Sequence, residues 1–111
     1  MLPRKNRISK QAFPAPKRQG LRVFSPLFSG TFYKNEGELR VAIVVSKKTA
    51  KTAVTRNLIR RRFYEILHPN LKSFTQQGFL VFYPKKETAT VDFSYLKTEI
   101  ESVLRKEKLI I

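Results

Sequence analysis

The chain has 111 residues, 23 Lys+Arg against 8 Asp+Glu, a formal net charge of +15 and no cysteine. That length suits one domain with a modest core, and the missing thiols exclude disulfides, Cys-based metal sites and a Cys nucleophile. A field of this sign and size draws polyanions at the cost of self-repulsion, and no apolar run approaches the roughly 18 residues of a membrane span.

Residues 1–7 read as a basic, polar tail of a single domain spanning 1–111. The opening MLPRKNRISKQ has no apolar segment behind it, so a secretory signal is not expected and a soluble cytoplasmic protein is. Ser9 caps a short helix carrying Phe13, which Pro14 and Pro16 prevent from continuing. Residues 21–33, LRVFSPLFSGTFY, are rich in strand formers. Pro26 marks an edge or a break within the strand, a further strand can split off near Arg22, and Gly30 marks a bulge or a close backbone approach. Period two puts Phe28, Gly30 and Phe32 on one face and Leu27, Ser29, Thr31 and Tyr33 on the other.

Lys34-Asn35-Glu36-Gly37 is a turn. Residues 39–46, LRVAIVVS, make the clearest strand, with Leu39, Val41, Ile43 and Val45 on one wholly apolar face; Ala42 and Val44 soften the other, so the strand is central. Lys47 to Lys51 connect to a helix over 52–67, ended at His68 by Pro69. On it Thr52, Ile59, Phe63, Ile66 and Leu67 share one arc of about 100°. Ala53, Asn57, Arg60, Arg61 and Tyr64 cluster opposite, with Arg56 at the border and Arg62 on the other flank. Asn70 to Gly78 is a loop, and 79–83, FLVFY, a short buried strand. A last helix is capped by Asp92 or Ser94, with an apolar stripe of Leu96, Ile100, Val103 and Leu104. Ile110 and Ile111 have no role unless they pack back. The order of elements gives a small α+β or split β-α-β domain.

Catalytic constellations are scarce. His68 is the sole histidine, which leaves no Ser-His or Cys-His pair, and no G-x-x-x-x-G-K-[ST] phosphate loop occurs. Glu36 with Glu38, or Glu99 with Glu101, would be the carboxylate pairs for acid–base work, against a plainer reading as solvated turn and helix. The charge is more informative. Residues 1–35 and 39–64 each hold eight basic side chains and no acid, and two such blocks around an apolar strand are a nucleic-acid footprint. Arg forks fit phosphates and Lys supplies point charge; Lys47, Lys48, Lys51, Arg56, Asn57, Arg60 and Arg61 are the candidates, with a solvated basic helix as the alternative. Phe13, Phe28, Phe32 and Phe82 are candidates for stacking unpaired bases, and core packing competes at each.

Residues 46–65 carry a more specific pattern. Ser46, Lys47, Lys48, Ala53, Val54, Arg56, Asn57, Arg60, Arg61 and Glu65 resemble the signature of the bacterial ribonuclease P protein subunit. In that family a strand ending in Ser/Ala-Lys-Lys leads to Arg-Asn-Arg-x-Lys-Arg-x-x-Arg-Glu on a helix. Lys5-Asn6-Arg7-Ile8 is similar to the family's opening, and Phe13 to a recurrent Phe after it. The resemblance covers nearly the whole chain. It implies a small α-β sandwich with a mixed sheet and a left-handed β-α-β crossover, where general rules favour a right-handed one.

It also implies a non-catalytic protein subunit of a ribonucleoprotein endoribonuclease. Its RNA partner would be the ribozyme, using Mg²⁺ held mainly by the RNA to free the 5′ end of tRNA. The protein would bind that RNA and hold the single-stranded 5′ leader of precursor tRNA in a cleft between the first helix and one sheet face. Arg7, Lys47, Lys48, Lys51, Arg56, Asn57, Arg60 and Arg61 are then the RNA contacts, and Phe13, Phe28 and Phe32 the leader contacts. Protein metal ligands stay unassigned, and neither a membrane nor a small-molecule cofactor is implied. Leu58 and Tyr64 depart from the pattern, each standing where an Arg is usual, so a contact is lost or moved to Arg62 or Lys51. The prolines at 14 and 16, and Lys17 in place of a second aromatic, set the first helix apart too. A structural or ribosomal RNA-binding protein, a DNA-binding module with helix 52–67 in a major groove, and a stand-alone nuclease are the rival readings.

Overall fold

The computed structural model describes residues 20–34 and 39–111. The basic tail, the short helix, Arg7, Phe13 and most of the 34–37 turn lie outside them. Four strands and two helices follow in the expected order: β1 (Leu21–Phe24), β2 (Phe28–Lys34), β3 (Arg40–Ile43), α1 (Ala53–Asn70), β4 (Gly78–Pro84) and α2 (Phe93–Lys106). The break at Pro26 is the β1–β2 turn, closed by the Ser25 amide donating to the Phe28 carbonyl (2.9 Å). The sheet order is β1-β2-β4-β3. β2 pairs antiparallel with β1 and β4, while β3 and β4 run parallel. β3-α1-β4 is therefore the β-α-β unit, and the sheet is mixed. β3 lies at the edge, not in the centre, because β4 returns between it and β2.

Alternation decides which face meets the helices. Directly opposed residues share a face, so Val23, Gly30 and Phe82 lie together, as do Leu21, Phe32, Leu80 and Val41. This face carries the core. Leu39, Val41, Ile43 and Val45 join it as their spacing predicts, under Ile59, Phe63, Ile66 and Leu67 of α1 and Leu96, Ile100 and Leu104 of α2. Phe28, Phe63 and Phe82 form its centre, with ring centroids 5.3 to 5.8 Å apart. Each such aromatic pair adds about 0.5–1.5 kcal/mol beyond area burial. Gly30 marks no bulge, because β2 stays in register from Phe28 to Lys34. It marks a close approach: a Cβ there would sit 3.0 Å from both the Val23 side chain and the Val81 carbonyl oxygen.

α1 runs past the expected stop. Pro69 lies inside its last turn: the bias against helix before proline is a preference that packing overrides, and Asn70 supplies the packing. Its buried side-chain amide donates to the Ile66 carbonyl (2.9 Å) and to Glu101 on α2 (2.8 Å). At the other end the Thr52 hydroxyl caps the helix by accepting from the Thr55 amide (3.2 Å). Thr52 thus sits exposed at the cap, not in the buried arc. Asp92 is the α2 cap, accepting from Ser94. The C-terminus does pack back: Leu109 and Ile110 are buried, Ile110 bridges Phe74, and Ile111 is exposed.

Candidate nucleic-acid interface

The cationic ridge begins where β3 leaves the sheet. The Ser46 hydroxyl and carbonyl both accept from the Thr49 amide (3.2 and 3.1 Å), and the Ala50 amide adds a bond to the same carbonyl. That tight turn leaves Lys47 and Lys48 exposed at its tip. Lys51 follows, also exposed, and Arg56 reaches back from α1 to donate to the carbonyls of Ala50 (2.9 Å) and Lys51 (3.1 Å). Arg56 therefore has its guanidinium partly engaged in fixing the loop that carries the lysines. Beyond it, Asn57 and Arg61 are exposed and Arg60 is half-buried, donating to the Asn57 carbonyl oxygen (3.0 Å). Lys47, Lys48, Lys51, Asn57, Arg60 and Arg61 thus lie along one turn and the first half of one helix.

Arg62 is not available as a substitute RNA contact. It donates to the Thr88 carbonyl (2.6 Å) and the Val91 carbonyl, and lies 5.9 Å from the Phe93 ring centroid. Position 62 faces α2 and the turn before it, so its charge is spent inside the protein. Tyr64 is half-buried against the core. The acids are also occupied structurally: Glu99 accepts from the Ser25 hydroxyl (3.0 Å) and Glu101 from Asn70. Among the described residues no three His, Asp or Glu side chains converge.

The expected leader contacts Phe28 and Phe32 need correction. Phe28 is fully buried and Phe32 is 3 % exposed. Phe28 is locked between Phe63 and Phe82, and Phe32 lies on the same covered face, so neither ring can take a base. The other sheet face holds the accessible rings. There Arg22, Thr31, Val81 and Ala42 stand in one row, and Phe24, Ser29 and Tyr83 in the next. Arg22, Phe24, Thr31, Tyr33 and Tyr83 surround a shallow bowl of about 260 Å³. Burial, with a smaller contribution from Tyr33, pushes the Tyr83 phenol above its ordinary value of 10.0 against the opposing pull of Arg22, so it stays a neutral donor in neutral solution. Sequence reasoning named Tyr33 only as part of a face, and it passed over Phe24 and Tyr83. Strand parity alone would have placed all three opposite Phe28 and Phe32 once the strand pairing was known.

A four-stranded mixed sheet covered by two helices on one face, with a lysine turn and arginine helix at its rim, defines a small α+β RNA-binding protein. The Ribonuclease P family model matches residues 2–108, and the chain belongs to that family. It is 31% identical to the ribonuclease P protein component of a Synechococcus sp., over all of this chain and 88% of that one. It is 30% identical to that of Finegoldia magna, over 80% of this chain and 78% of that one. Among solved structures, a Staphylococcus aureus RNase P protein mutant aligns over 95% of this chain and 90% of its own, with a TM-score of 0.81 at 24% identity. The Thermotoga maritima RNase P protein aligns over 79% and 84%, with a TM-score of 0.71 at 26% identity. The chain is accordingly a protein subunit of ribonuclease P, acting with an RNA partner in tRNA processing. No helix among the described residues is long and apolar enough to cross a membrane.

Proposed function

We propose that this subunit works by position and charge, while the RNA subunit carries the phosphodiester hydrolysis that frees the tRNA 5′ end. The single observation that carries this reading is the ridge: Lys47, Lys48, Lys51, Asn57, Arg60 and Arg61 face outward from one ordered turn and one helix face. Arg56 braces that ridge from behind. The side chains supply forks and point charges suited to phosphate oxygens, and the RNA subunit docks there. The 5′ leader of precursor tRNA runs over the sheet face opposite the two helices, with Arg7 and Phe13 contributing from the N-terminal segment. Mg²⁺ lowers the charge cost at the scissile phosphate and is held mainly by RNA, so this chain's part is to bring substrate and ribozyme together. The cytoplasm is where such a complex meets its precursor.

Reconstitution tests it. A ribonuclease P RNA and a precursor tRNA are mixed at low Mg²⁺ with and without the protein, and 5′ cleavage is followed. The expected outcome is a large gain in cleavage with protein and none with protein alone. Failure to stimulate, with RNA binding intact, would sink the reading. Cleavage without the RNA subunit would establish a protein nuclease instead.

A further inference from the structure

β1 ends the sheet order β1-β2-β4-β3, and among the described residues no strand pairs with its outer side. The β1–β2 turn closes with the Ser25 amide on the Phe28 carbonyl. Hydrogen-bonded and non-hydrogen-bonded pairs alternate along an antiparallel ladder, so Val23 and Leu21 exchange bonds with Gly30 and Phe32. The N–H and C=O groups of Arg22 and Phe24 therefore point away from the sheet. Natural sheets blunt such an edge with proline, a bulge or several charges. LRVF has no proline, its register with β2 is unbroken from Leu21 to Phe24, and its single charge is Arg22.

The surroundings of this edge say what fits it. An open pocket of about 360 Å³ lies at the start of β1, lined by Gly20, Leu21, Phe32, Lys34 and Gln76. That volume is in the range of binding clefts, and the lining holds a cation and no acid. Leu21 is 42 % exposed, so an apolar wall stands in water there. The second half of α2 runs above the strand. It is tied to the end of β1 by Glu99 accepting from the Ser25 hydroxyl (3.0 Å). Next to the pocket, the Thr75 amide donates to the Leu109 carbonyl just past the helix (2.9 Å). Glu99, Val103 and Lys106 share one side of α2 by their spacing, and Lys106 is exposed.

An alternating row of N–H and C=O groups is matched by a peptide backbone, not by a duplex or a row of phosphates. Arg22, Lys34 and Lys106 favour carboxylates. They also oppose a second copy of this chain, whose net charge is +15.

We propose that the β1 edge binds an extended, acidic segment of a partner protein, which adds a fifth strand to the sheet and puts one apolar side chain into the Leu21 pocket. Backbone bonds to Arg22 and Phe24 hold the segment, and the pocket selects the side chain, as in other strand-addition sites. The cationic ridge starts from β3, at the opposite edge, three strand spacings of about 4.8 Å away. A partner seated on β1 therefore leaves the ridge to RNA.

The test uses the full chain and a fluorescein-labelled octapeptide of alternating glutamate and valine with one central leucine. Fluorescence anisotropy follows binding with and without saturating ribonuclease P RNA. Saturable binding is expected, unchanged by the RNA. N-methylation of one alternate set of peptide amides should weaken it about tenfold, the effect of losing two hydrogen bonds. N-methylation of the other set should leave it intact, because only one set faces β1. Arg22→Pro and Arg22→Gln remove the same charge, but only proline removes the outward N–H. Arg22→Pro should therefore bind several-fold more weakly than Arg22→Gln, and Leu21→Ser several-fold more weakly than wild type, with thermal melts checking that each variant folds. If RNA displaces the peptide, or the two N-methylated peptides bind alike, charge alone holds it on another surface and the edge site is wrong. Equal binding by folded Arg22→Pro and Arg22→Gln would overturn it too. A dimer of the free protein that Arg22→Pro dissolves would give the edge to a second copy instead of a partner.

Discussion

Arg61 and Arg62 are neighbours in the chain with opposite employments. Helical spacing turns them about 100° apart, which sends Arg61 to solvent and Arg62 to the carbonyls of Thr88 and Val91. Those acceptors lie 26 and 29 residues further on, beyond the reach of any local pattern, so the sequence left Arg62 as one more available cation. Removing it strands two half-buried carbonyls and frees the start of α2 from α1. Arg62→Ala is therefore expected to destabilise the protein by about 2 kcal/mol, read as a lower denaturation midpoint. Arg62→Lys should recover only part, because an ammonium cannot fork to both oxygens in the guanidinium plane. Equal stability of wild type and Arg62→Ala would show the clamp to be idle. The same residue-level logic separates Phe28 and Phe32 from Phe24 and Tyr83. Composition counts aromatic rings, but only strand pairing says which of them face the helices.

At the level of elements, the periodic patterns were legible because each encodes its own burial. Ile59, Phe63, Ile66 and Leu67 on α1, and Leu96, Ile100 and Leu104 on α2, are all buried as 3.6-residue spacing requires. What escaped were the ends, where a few specific bonds decide. Pro69 enters α1 because Asn70 holds the terminus to Ile66 and Glu101, a pairing no spacing rule contains. The end of α2 is similar. The Leu109 amide donates to the Leu104 carbonyl (2.8 Å) and the Lys108 amide to Arg105 (3.0 Å), the two bonds of a Schellman cap. They force Lys108 to φ 59°, the left-handed region where a Cβ is penalised. The strain persists because this cap turns Leu109 and Ile110 back into the core. Lys108→Gly relieves it and should stabilise the protein by about 0.5–1 kcal/mol, the left-handed penalty less glycine's extra chain entropy. A thermal melt that fell instead would mean that the Lys108 side chain supplies a compensating contact.

For the molecule as a whole, charge was the most legible property and the least discriminating. A net +15 says that a polyanion is bound, and it says nothing of where. The resemblance carried by residues 46–65 points to one location, proposed above as the docking ridge, where the Ser46 turn and the Arg56 brace hold Lys47, Lys48 and Lys51 next to α1. A diffuse field and a docked ridge make different predictions. If RNA merely senses net charge, removing any one exposed cation should weaken binding alike. If RNA sits on the ridge, each lost phosphate contact should reduce the slope of log K against log salt by about 0.7–0.9. Arg61→Ala and Lys106→Ala remove the same charge from two exposed sites, one on the ridge and one in the last turn of α2. Binding to ribonuclease P RNA measured from low to moderate salt is expected to show a shallower slope for Arg61→Ala and an unchanged one for Lys106→Ala. Lys47→Ala and Lys48→Ala should follow Arg61. Equal slopes for the two α-helical variants would mean that the field of the whole protein, and not this ridge, holds the RNA.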